Sequence, residues 1–406
     1  MEFNPRYQNP EKYFRSFIMG GFECADQQNA FGERVDLIEL TGHDRFIDED
    51  YKRLRDIGIH TVREGIRWSR VEKSPFQYDW SQVEDIIIRA RENDIEVIWD
   101  ICHFGFPDDL TPLHPMFARR FSHLCKAFVE KYRSLCPEGE LIITPINEVS
   151  FLSWLGGDAR GTSPYCVNQG WEVKYMLMKA YIEGIERMKE ADPGIRIMVT
   201  EPLIHIVSPD LSNAELVLHA DKKHQEQFQV LEILSGKMCP ELRGKPEYLD
   251  IIGVNFYCDN QWTVTDHQYI PWDATPASPF WRSLHSLVNE VFIRYGRPIV
   301  ISETSMAGEK RYEWLQMISQ ECVSILNSGI PLLGCCIYPI IDRPDWDFPL
   351  NWHHSGVWDI FDTVTLEREI HTESLFALQD FKAKITGIGT YAMEETVDSS
   401  IPFQIQ

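Results

Sequence analysis

The sequence is poor in positive charge. Lysine and arginine together number 39 of 406 residues, against 62 for aspartate and glutamate, which gives a formal net charge of −23 at pH 7. Nucleic acids and anionic membrane surfaces attract proteins through lysine and arginine, so this balance argues against both as partners. It favours a small neutral molecule as the substrate, although the same charge would also serve simply to keep the protein soluble.

Long apolar runs are also absent. No segment reaches the ~18 consecutive apolar residues that indicate a membrane-spanning helix. Residues 1–6 do not show the basic start and the following apolar stretch of a signal peptide. Together these observations predict a cytoplasmic protein.

The sequence lacks the residue spacings of common metal and cofactor sites. Its ten cysteines include no Cys-x-x-Cys pair and mostly lie in apolar stretches, so buried free thiols in a reducing cytosol explain them better than disulfides or zinc. No His-x-x-x-His or His-Glu-x-x-His spacing occurs, and the adjacent His353 and His354 would point to opposite sides. The short Gly-x-Gly sequence at 387–389 does not match a dinucleotide-binding loop. We therefore predict neither a metal nor another cofactor.

What the sequence does contain is a regular alternation of short β-branched runs with longer amphipathic segments. The strand candidates begin near Ser16, His60, Ile95, Leu141, Ile195, Asp250, Pro298 and Leu332. The helix candidates cover about 47–57, 81–90, 115–135, 170–192, 224–235, 280–295, 311–327 and 372–384. Alternation of this kind predicts a parallel sheet with right-handed crossovers.

Eight strand–helix units favour closure into a (β/α)8 TIM barrel over an open sheet. No linker, low-complexity tract or tandem repeat divides the chain. We therefore expect a single α/β domain over residues 1–406, in which the residues after about 387 form a C-terminal extension.

Polar residues stand at the predicted carboxyl end of every strand, where the active site of such a barrel lies. They include Glu23, Arg63, Asp100, His103, Asn147, Glu148, Glu201, Asn255, Tyr257, Glu303 and Tyr338. Any one of them could cap a helix or face solvent in a loop. Polar residues at all eight ends, however, favour a functional rim.

Two glutamates in this set are the strongest catalytic candidates, because a predicted buried strand, 142–146 or 298–302, leads into each of them. They are Glu148 and Glu303. Two carboxylates held across a barrel mouth can cleave a glycosidic bond, since one protonates the leaving oxygen and the other attacks or activates water at the anomeric carbon. Glu201 is a third candidate that the composition of the rim does not exclude.

These motifs resemble those of clan A glycoside hydrolases and, within them, glycoside hydrolase family 1, the β-glucosidase family. The similar segments are 17–27, 62–70, 103–107, 144–148, 250–257, 301–303 and 338–346. The Thr-Pro-Ile-Asn-Glu sequence at 144–148 resembles the family's acid/base motif. The Ile-Ser-Glu sequence at 301–303 resembles its nucleophile motif.

The resemblance implies a role for each matching residue. Glu148 would be the acid/base and Glu303 the nucleophile of a retaining β-glycosidase. Arg63 and Tyr257 would lie beside the nucleophile, and Asn147 would hold the sugar 2-hydroxyl. The other residues implied to bind the sugar are Gln27, His103, Tyr338, Asp345 and Trp346.

The sequence departs from the family's pattern in several of these motifs. Val149 follows the acid/base where the family usually has proline, and Tyr338 and Asp345 replace a tryptophan and a glutamate. These differences indicate a divergent member or a sister family. The aspartates at 342, 345 and 347 would repel a 6-phosphate, so we expect an unphosphorylated β-glucoside or β-galactoside as substrate.

Two other functions remain open. A transglycosidase would use the same covalent intermediate with a sugar or alcohol acceptor in place of water, and nothing in the sequence separates it from a hydrolase. A non-catalytic carbohydrate-binding protein would need neither glutamate, so the presence of both argues against it. The oligomeric state is not predicted.

Overall fold

Eight parallel strands form a closed barrel in the computed structural model, which describes residues 13–395. They are β1 (Ile18–Gly21), β2 (Thr61–Gly65), β3 (Glu96–Cys102), β4 (Ile142–Ile146), β5 (Arg196–Pro202), β6 (Ile251–Asn255), β7 (Ile299–Thr304) and β8 (Leu332–Ile337). Each strand pairs with its neighbours along the chain, and β8 pairs with β1 in the register Ile18 to Cys335. The predicted single-domain (β/α)8 barrel is therefore confirmed, and every strand begins within two residues of its predicted start.

Helices and short outer strands surround the barrel. The helices are α1 (Leu37–Thr41), α2 (Ile47–Asp56), α3 (Trp68–Val71), α4 (Ser81–Glu92), α5 (Phe117–Leu135), α6 (Val149–Gly157), α7 (Gly170–Ala191), α8 (Ala214–Gln225), α9 (Gln229–Leu234), α10 (Leu284–Tyr295), α11 (Arg311–Asn327) and α12 (Thr372–Glu395). The outer strand pairs are Glu72–Ser74 with Gln77–Tyr78, His205–Val207 with Gln261–Thr263, and Trp358–Asp359 with Glu369–Ile370. Single 3-10 turns occupy Glu226–Phe228, Pro240–Leu242, Pro246–Tyr248 and Gly308–Lys310.

The barrel interior holds its own apolar cluster, separate from the layer between strands and helices. Its strand members are Met19, Ile98, Ile142, Met198, Ile251, Val300, Leu333 and Cys336, which come from every strand except β2. The strand missing from this cluster directs Arg63 inward instead, and that side chain is 1% exposed. A buried charge is tolerated only with charged or hydrogen-bonded partners, so β2 introduces a polar centre above the apolar layer.

Two of the predicted helices differ from the structure, and α1, α3 and α6 were not predicted. The segment predicted as one helix over 224–235 contains the end of α8, a 3-10 turn and α9. The helix α8 begins at Ala214, where the side chain of Asn213 caps it by accepting a hydrogen bond from the Leu216 amide at 3.1 Å. The last helix was predicted to end near 384, yet α12 continues through Gly387 to Glu395. The expected extension thus starts inside a helix, and residues 396–406 lie outside the described residues.

The cysteines and the helices bear on the remaining composition-based expectations. All ten cysteines lie within the described range and are free thiols, and six of them are buried. Among residues 13–395, no helix combines the length and the apolar character needed to span a bilayer. The cytoplasmic location remains a prediction.

Candidate active site

Glu148 stands at the junction between β4 and α6. Its backbone adopts the left-handed region with φ of 45°, which is unfavourable for a residue other than glycine. The backbone amide donates to the Thr200 carbonyl of β5 at 3.0 Å, which holds the turn in place. The carboxyl Oε1 accepts from the Asn255 amide at 2.9 Å. The strained turn thus directs this carboxyl group toward β6 across the barrel mouth.

Glu303 in β7 has a different set of partners. Its Oε1 accepts from the Arg63 guanidinium at 2.9 Å, and its Oε2 accepts from the Tyr257 hydroxyl at 2.9 Å. The residue is 4% exposed. Both neighbours were expected from the sequence, and together they fix the carboxylate by one donor on each oxygen. The bond from arginine is charge-assisted and therefore stronger than a hydrogen bond between neutral groups.

Asn255 links the two glutamates. Its side-chain amide donates to Glu148, and its Oδ1 accepts from the Ser302 hydroxyl at 2.6 Å, one residue before Glu303. Asn255 is fully buried. It was recognised in the sequence only as a polar residue at a strand end, because an alternating pattern does not reveal which rim residues touch.

The two carboxyl groups have different electrostatic environments. Burial and, next, the negative charge of Glu303 raise the pKa of Glu148 to about 8. The hydrogen bond from Asn255 acts in the opposite direction but does not offset them. Glu148 is therefore protonated at neutral pH, whereas Glu303 lies against a guanidinium. A carboxyl group with a raised pKa that faces a carboxyl group held by arginine is the arrangement that acid and nucleophile roles require.

Asn147 lies between Arg63 and the predicted sugar ligand His103. Its Oδ1 accepts from the Thr200 hydroxyl at 2.7 Å and from Arg63 at 3.3 Å. Its Nδ2 lies 3.3 Å from His103 Nε2, and the other ring nitrogen of His103 lies 2.9 Å from Asp100. The amide orientation is thus fixed on both sides. Thr200 and Asp100 had no predicted role.

Gln27 and Trp346 carry buried polar atoms without partners. Gln27 is 2% exposed, and among the described residues no group bonds its Oε1 or the indole nitrogen of Trp346. The loops that carry them are held together, because Asn29 donates to the Trp346 carbonyl at 3.2 Å. A buried acceptor and a buried donor of this kind are satisfied by a polar ligand such as a sugar hydroxyl.

Tyr338, which follows β8, packs against the buried polar residues His103 and Arg63. Its ring stacks on His103 at 5.5 Å, and the Arg63 guanidinium lies 5.1 Å from the ring centre. A Cβ added to Gly21 would lie 2.0 Å from this ring, so β1 requires glycine there. The side chain is 2% exposed. Its direct contact with a sugar remains a prediction.

Asp345 is engaged within its own loop. Its Oδ1 accepts from the backbone amides of Asp347 and Phe348, both at 2.9 Å, and its Oδ2 lies 3.1 Å from His353 Nε2. These bonds are those of a loop cap, and they leave little capacity for a sugar hydroxyl. The predicted role of Asp345 in sugar binding stays a prediction that this geometry does not favour.

Glu23 occupies part of the pocket in a way the sequence did not reveal. Its Oε1 lies 3.6 Å from His103 Nε2, and its Oε2 lies 3.3 Å from Arg343 Nε. The Arg343 guanidinium in turn lies 5.2 Å from the centre of the Trp346 ring. The cation of this loop is thus already paired with a buried carboxylate.

Glu201, the third carboxylate candidate, supports the helix that follows Glu148. Both of its oxygens accept from the Ser150 amide in the first turn of α6, at 3.3 and 3.2 Å. Burial raises the pKa of Glu201 to about 7, although the Ser150 bonds and Lys174 act against this. Its partners place it behind the acid/base candidate and not beside Glu303.

Two clusters of ligand-type side chains occur among the described residues. One consists of Cys24, Asp100 and His103, and the other of Asp342, His354 and Asp359. Each already contains a carboxylate that is paired with arginine. Asp100 bonds Arg63, and Asp359 bonds Arg311 through both oxygens at 2.8 and 3.0 Å. A divalent cation would lie close to a guanidinium in either cluster, and the absence of a metal remains a prediction.

The sequence matches no protein-family model and no curated protein. Solved structures nevertheless share its fold. The family 1 β-glucosidase from Thermotoga maritima has a TM-score of 0.71 at 15% identity, covering 85% of this chain and 87% of that chain. The AHE enzyme from Alicyclobacillus herbarius has a TM-score of 0.70 at 14% identity, covering 86% and 87%. A hyperthermophilic β-glucosidase mutant has a TM-score of 0.70 at 14% identity, covering 89% and 98%.

The protein therefore has the (β/α)8 barrel fold of family 1 β-glucosidases, as the sequence motifs predicted. At identities this low the similarity establishes the fold. The activity has to be argued from the side chains at the barrel mouth.

Proposed function

We propose that this protein is a retaining β-glycosidase that hydrolyses an unphosphorylated β-glucoside or β-galactoside by double displacement. Glu303 is the nucleophile and Glu148 is the acid/base. The observation that carries the proposal is the contrast between the two carboxyl groups. Glu303 is held by Arg63 and Tyr257, whereas Glu148 is bonded by a neutral amide and has its pKa raised to about 8.

In the first step Glu303 attacks the anomeric carbon, and Glu148 transfers its proton to the departing glycosidic oxygen. The bond from the sugar to the leaving group breaks as the ester to Glu303 forms. Burial, the charge of Glu303 and the charge of Glu201 raise the pKa of Glu148, and ester formation removes the second of these causes. The acid/base group can then remain ionised after it has lost its proton.

In the second step the ionised Glu148 takes a proton from water, and the resulting hydroxide attacks the anomeric carbon to release Glu303. The sugar keeps its original anomeric configuration because it has been inverted twice. If a sugar or alcohol replaces water in this step, the product is a new glycoside. Product analysis therefore distinguishes hydrolysis from transglycosylation.

The preference for a neutral sugar rests on the charges around the pocket. Arg343 is paired with Glu23, and Asp342 is a fully buried carboxylate in the same loop. A 6-phosphate carries a charge near −2 and would lack a free cation here, and like-charge contact of this kind costs several kcal/mol. Hydroxyl groups can instead bond Gln27 and Trp346, whose buried polar atoms have no partner in the described structure.

A panel of nitrophenyl α- and β-glycosides, with and without 6-phosphate, tests the proposal. We expect the wild type to turn over a neutral β-hexoside and Glu303→Gln to lose this activity. Glu201→Gln is the matched control, because Glu201 also ends a strand but bonds α6, and we expect it to remain active. Activity confined to α-glycosides or 6-phosphosugars would contradict the proposed substrate. A fully active Glu303→Gln variant would contradict the proposed mechanism.

A further inference from the structure

A buried carboxylate without an assigned role lies next to the nucleophile's arginine. Asp100 in β3 is fully buried. Its Oδ2 accepts from Arg63 Nη2 at 2.5 Å and lies 2.9 Å from His103 Nδ1. A single oxygen therefore holds two side chains that face the reacting centre.

The guanidinium of Arg63 connects this carboxylate to the nucleophile. Nη1 donates to Glu303 at 2.9 Å and to the Ser302 carbonyl at 2.8 Å, while Nη2 donates to Asp100. A guanidinium is planar and its donors have a fixed geometry, so the bond on one edge sets the direction of the other. The bond to Asp100 thus determines where Nη1 meets Glu303.

Asp100 also changes the electrostatic field at the nucleophile. Five titratable or charged groups face Glu303: Arg63 from β2, Tyr257 after β6, Glu148 after β4, Cys336 in β8 and Tyr338 after β8. Arg63 is the cation that bonds Glu303, and its charge is shared with Asp100. Without the second carboxylate, the full charge of Arg63 would stabilise Glu303 as an anion and weaken it as a nucleophile.

We propose that Asp100 is a positioning residue for glycoside cleavage, which holds Arg63 against the Glu303 nucleophile and His103 in the sugar pocket, and whose charge offsets that of Arg63. This inference rests on the proposed glycosidase function. It assigns to Asp100 no contact with the sugar.

Asp100→Asn in the full-length protein tests the electrostatic part, because it removes a negative charge with little change in shape. Loss of this negative charge leaves the charge of Arg63 without an offset at the reacting centre. Both limbs of the plot of kcat/KM against pH should therefore move to lower pH, by about one unit. Misplacement of Arg63 should also lower kcat on the order of 10- to 100-fold.

Asp100→Glu tests positioning separately from charge. The longer side chain keeps the negative charge but displaces Arg63 and His103. We expect the limbs of the pH profile to stay at the wild-type pH while kcat falls. A wild-type kcat in Asp100→Glu would contradict the positioning role. If Asp100→Asn does not fold, Asp100→Glu still tests the proposal.

Asp50 provides a matched control elsewhere in the barrel. Its Oδ2 likewise pairs with one arginine and one histidine, Arg368 at 2.9 Å and His43 at 3.0 Å, and it is 1% exposed. Asp50→Asn should lower the melting temperature without moving either limb of the pH profile. If Asp100 had only a structural role, Asp100→Asn would behave in the same way.

The outcomes distinguish this inference from the proposed function. An active wild type, an inactive Glu303→Gln variant and unchanged pH limbs in Asp100→Asn would overturn the role of Asp100 and leave the glycosidase assignment intact. A wild type without glycosidase activity, or an active Glu303→Gln variant, would overturn the proposed function itself.

Discussion

Tyr257→Phe offers a sharp test of how the nucleophile is held, because it removes one hydroxyl group and leaves the ring. That hydroxyl donates to Glu303 Oε2 at 2.9 Å and lies 3.4 Å from the Tyr338 carbonyl. A hydrogen bond to a charged group contributes about 1.5–3 kcal/mol. Since about 1.4 kcal/mol corresponds to a tenfold change in rate, kcat/KM should fall about 10- to 150-fold.

The assay is initial-rate hydrolysis of a nitrophenyl β-glycoside across the pH range. Tyr248→Phe is a suitable control, because that buried hydroxyl has no hydrogen-bond partner among the described residues. A loss of less than threefold in Tyr257→Phe, or the same loss in Tyr248→Phe, would refute the reasoning.

Three further predictions follow from the site. Glu148→Gln should lose activity on substrates with poor leaving groups but retain it on activated aryl glycosides, which need no proton; equal loss on both would argue against its acid role. The same variant should be more stable than the wild type at pH 7 by a few kcal/mol. Burial raises the folded-state pKa of Glu148 to about 8, above the ordinary value of 4.5, so its stabilising effect is complete below pH 4.5 and is lost as pH rises toward 8. Urea denaturation at several pH values measures this difference, and a constant difference between pH 4 and 8 would contradict it. Asp345→Ala should raise KM and lower kcat if the sugar contacts this residue, whereas unchanged kinetics would assign it to loop capping alone.

The barrel and the rim position of the two candidate glutamates could be predicted from the sequence for a physical reason. Parallel strands in a barrel are buried on both faces, so each one appears as a short apolar run, and eight such runs separated by amphipathic helices have few alternative packings. The rim position of Glu148 and Glu303 follows directly, because each stands where an apolar strand ends. The fold and the catalytic candidates could thus be predicted from the local sequence pattern and the order of the strands.

The contacts among rim residues could not be predicted in the same way. Asp100 and Asn255 were visible as polar residues at strand ends, but their partners come from other strands and depend on barrel register. Asp100 and Arg63 lie on the neighbouring strands β3 and β2. Asn255 lies in β6 and Glu148 follows β4, so β5 stands between the strands that carry them. Asp345 was expected to face the sugar, yet the turn that follows it supplies two amide donors only when the loop has folded.

Identification of the residue that becomes covalently attached to the sugar tests the central claim most directly. A 2-deoxy-2-fluoro β-glycoside with an activated leaving group should slow the second step and allow the glycosyl-enzyme to accumulate. Proteolysis and mass spectrometry should then locate the added sugar on Glu303 in the peptide that contains β7. A modification on Glu148 or Glu201, or a first product with inverted anomeric configuration and no covalent adduct, would contradict the account.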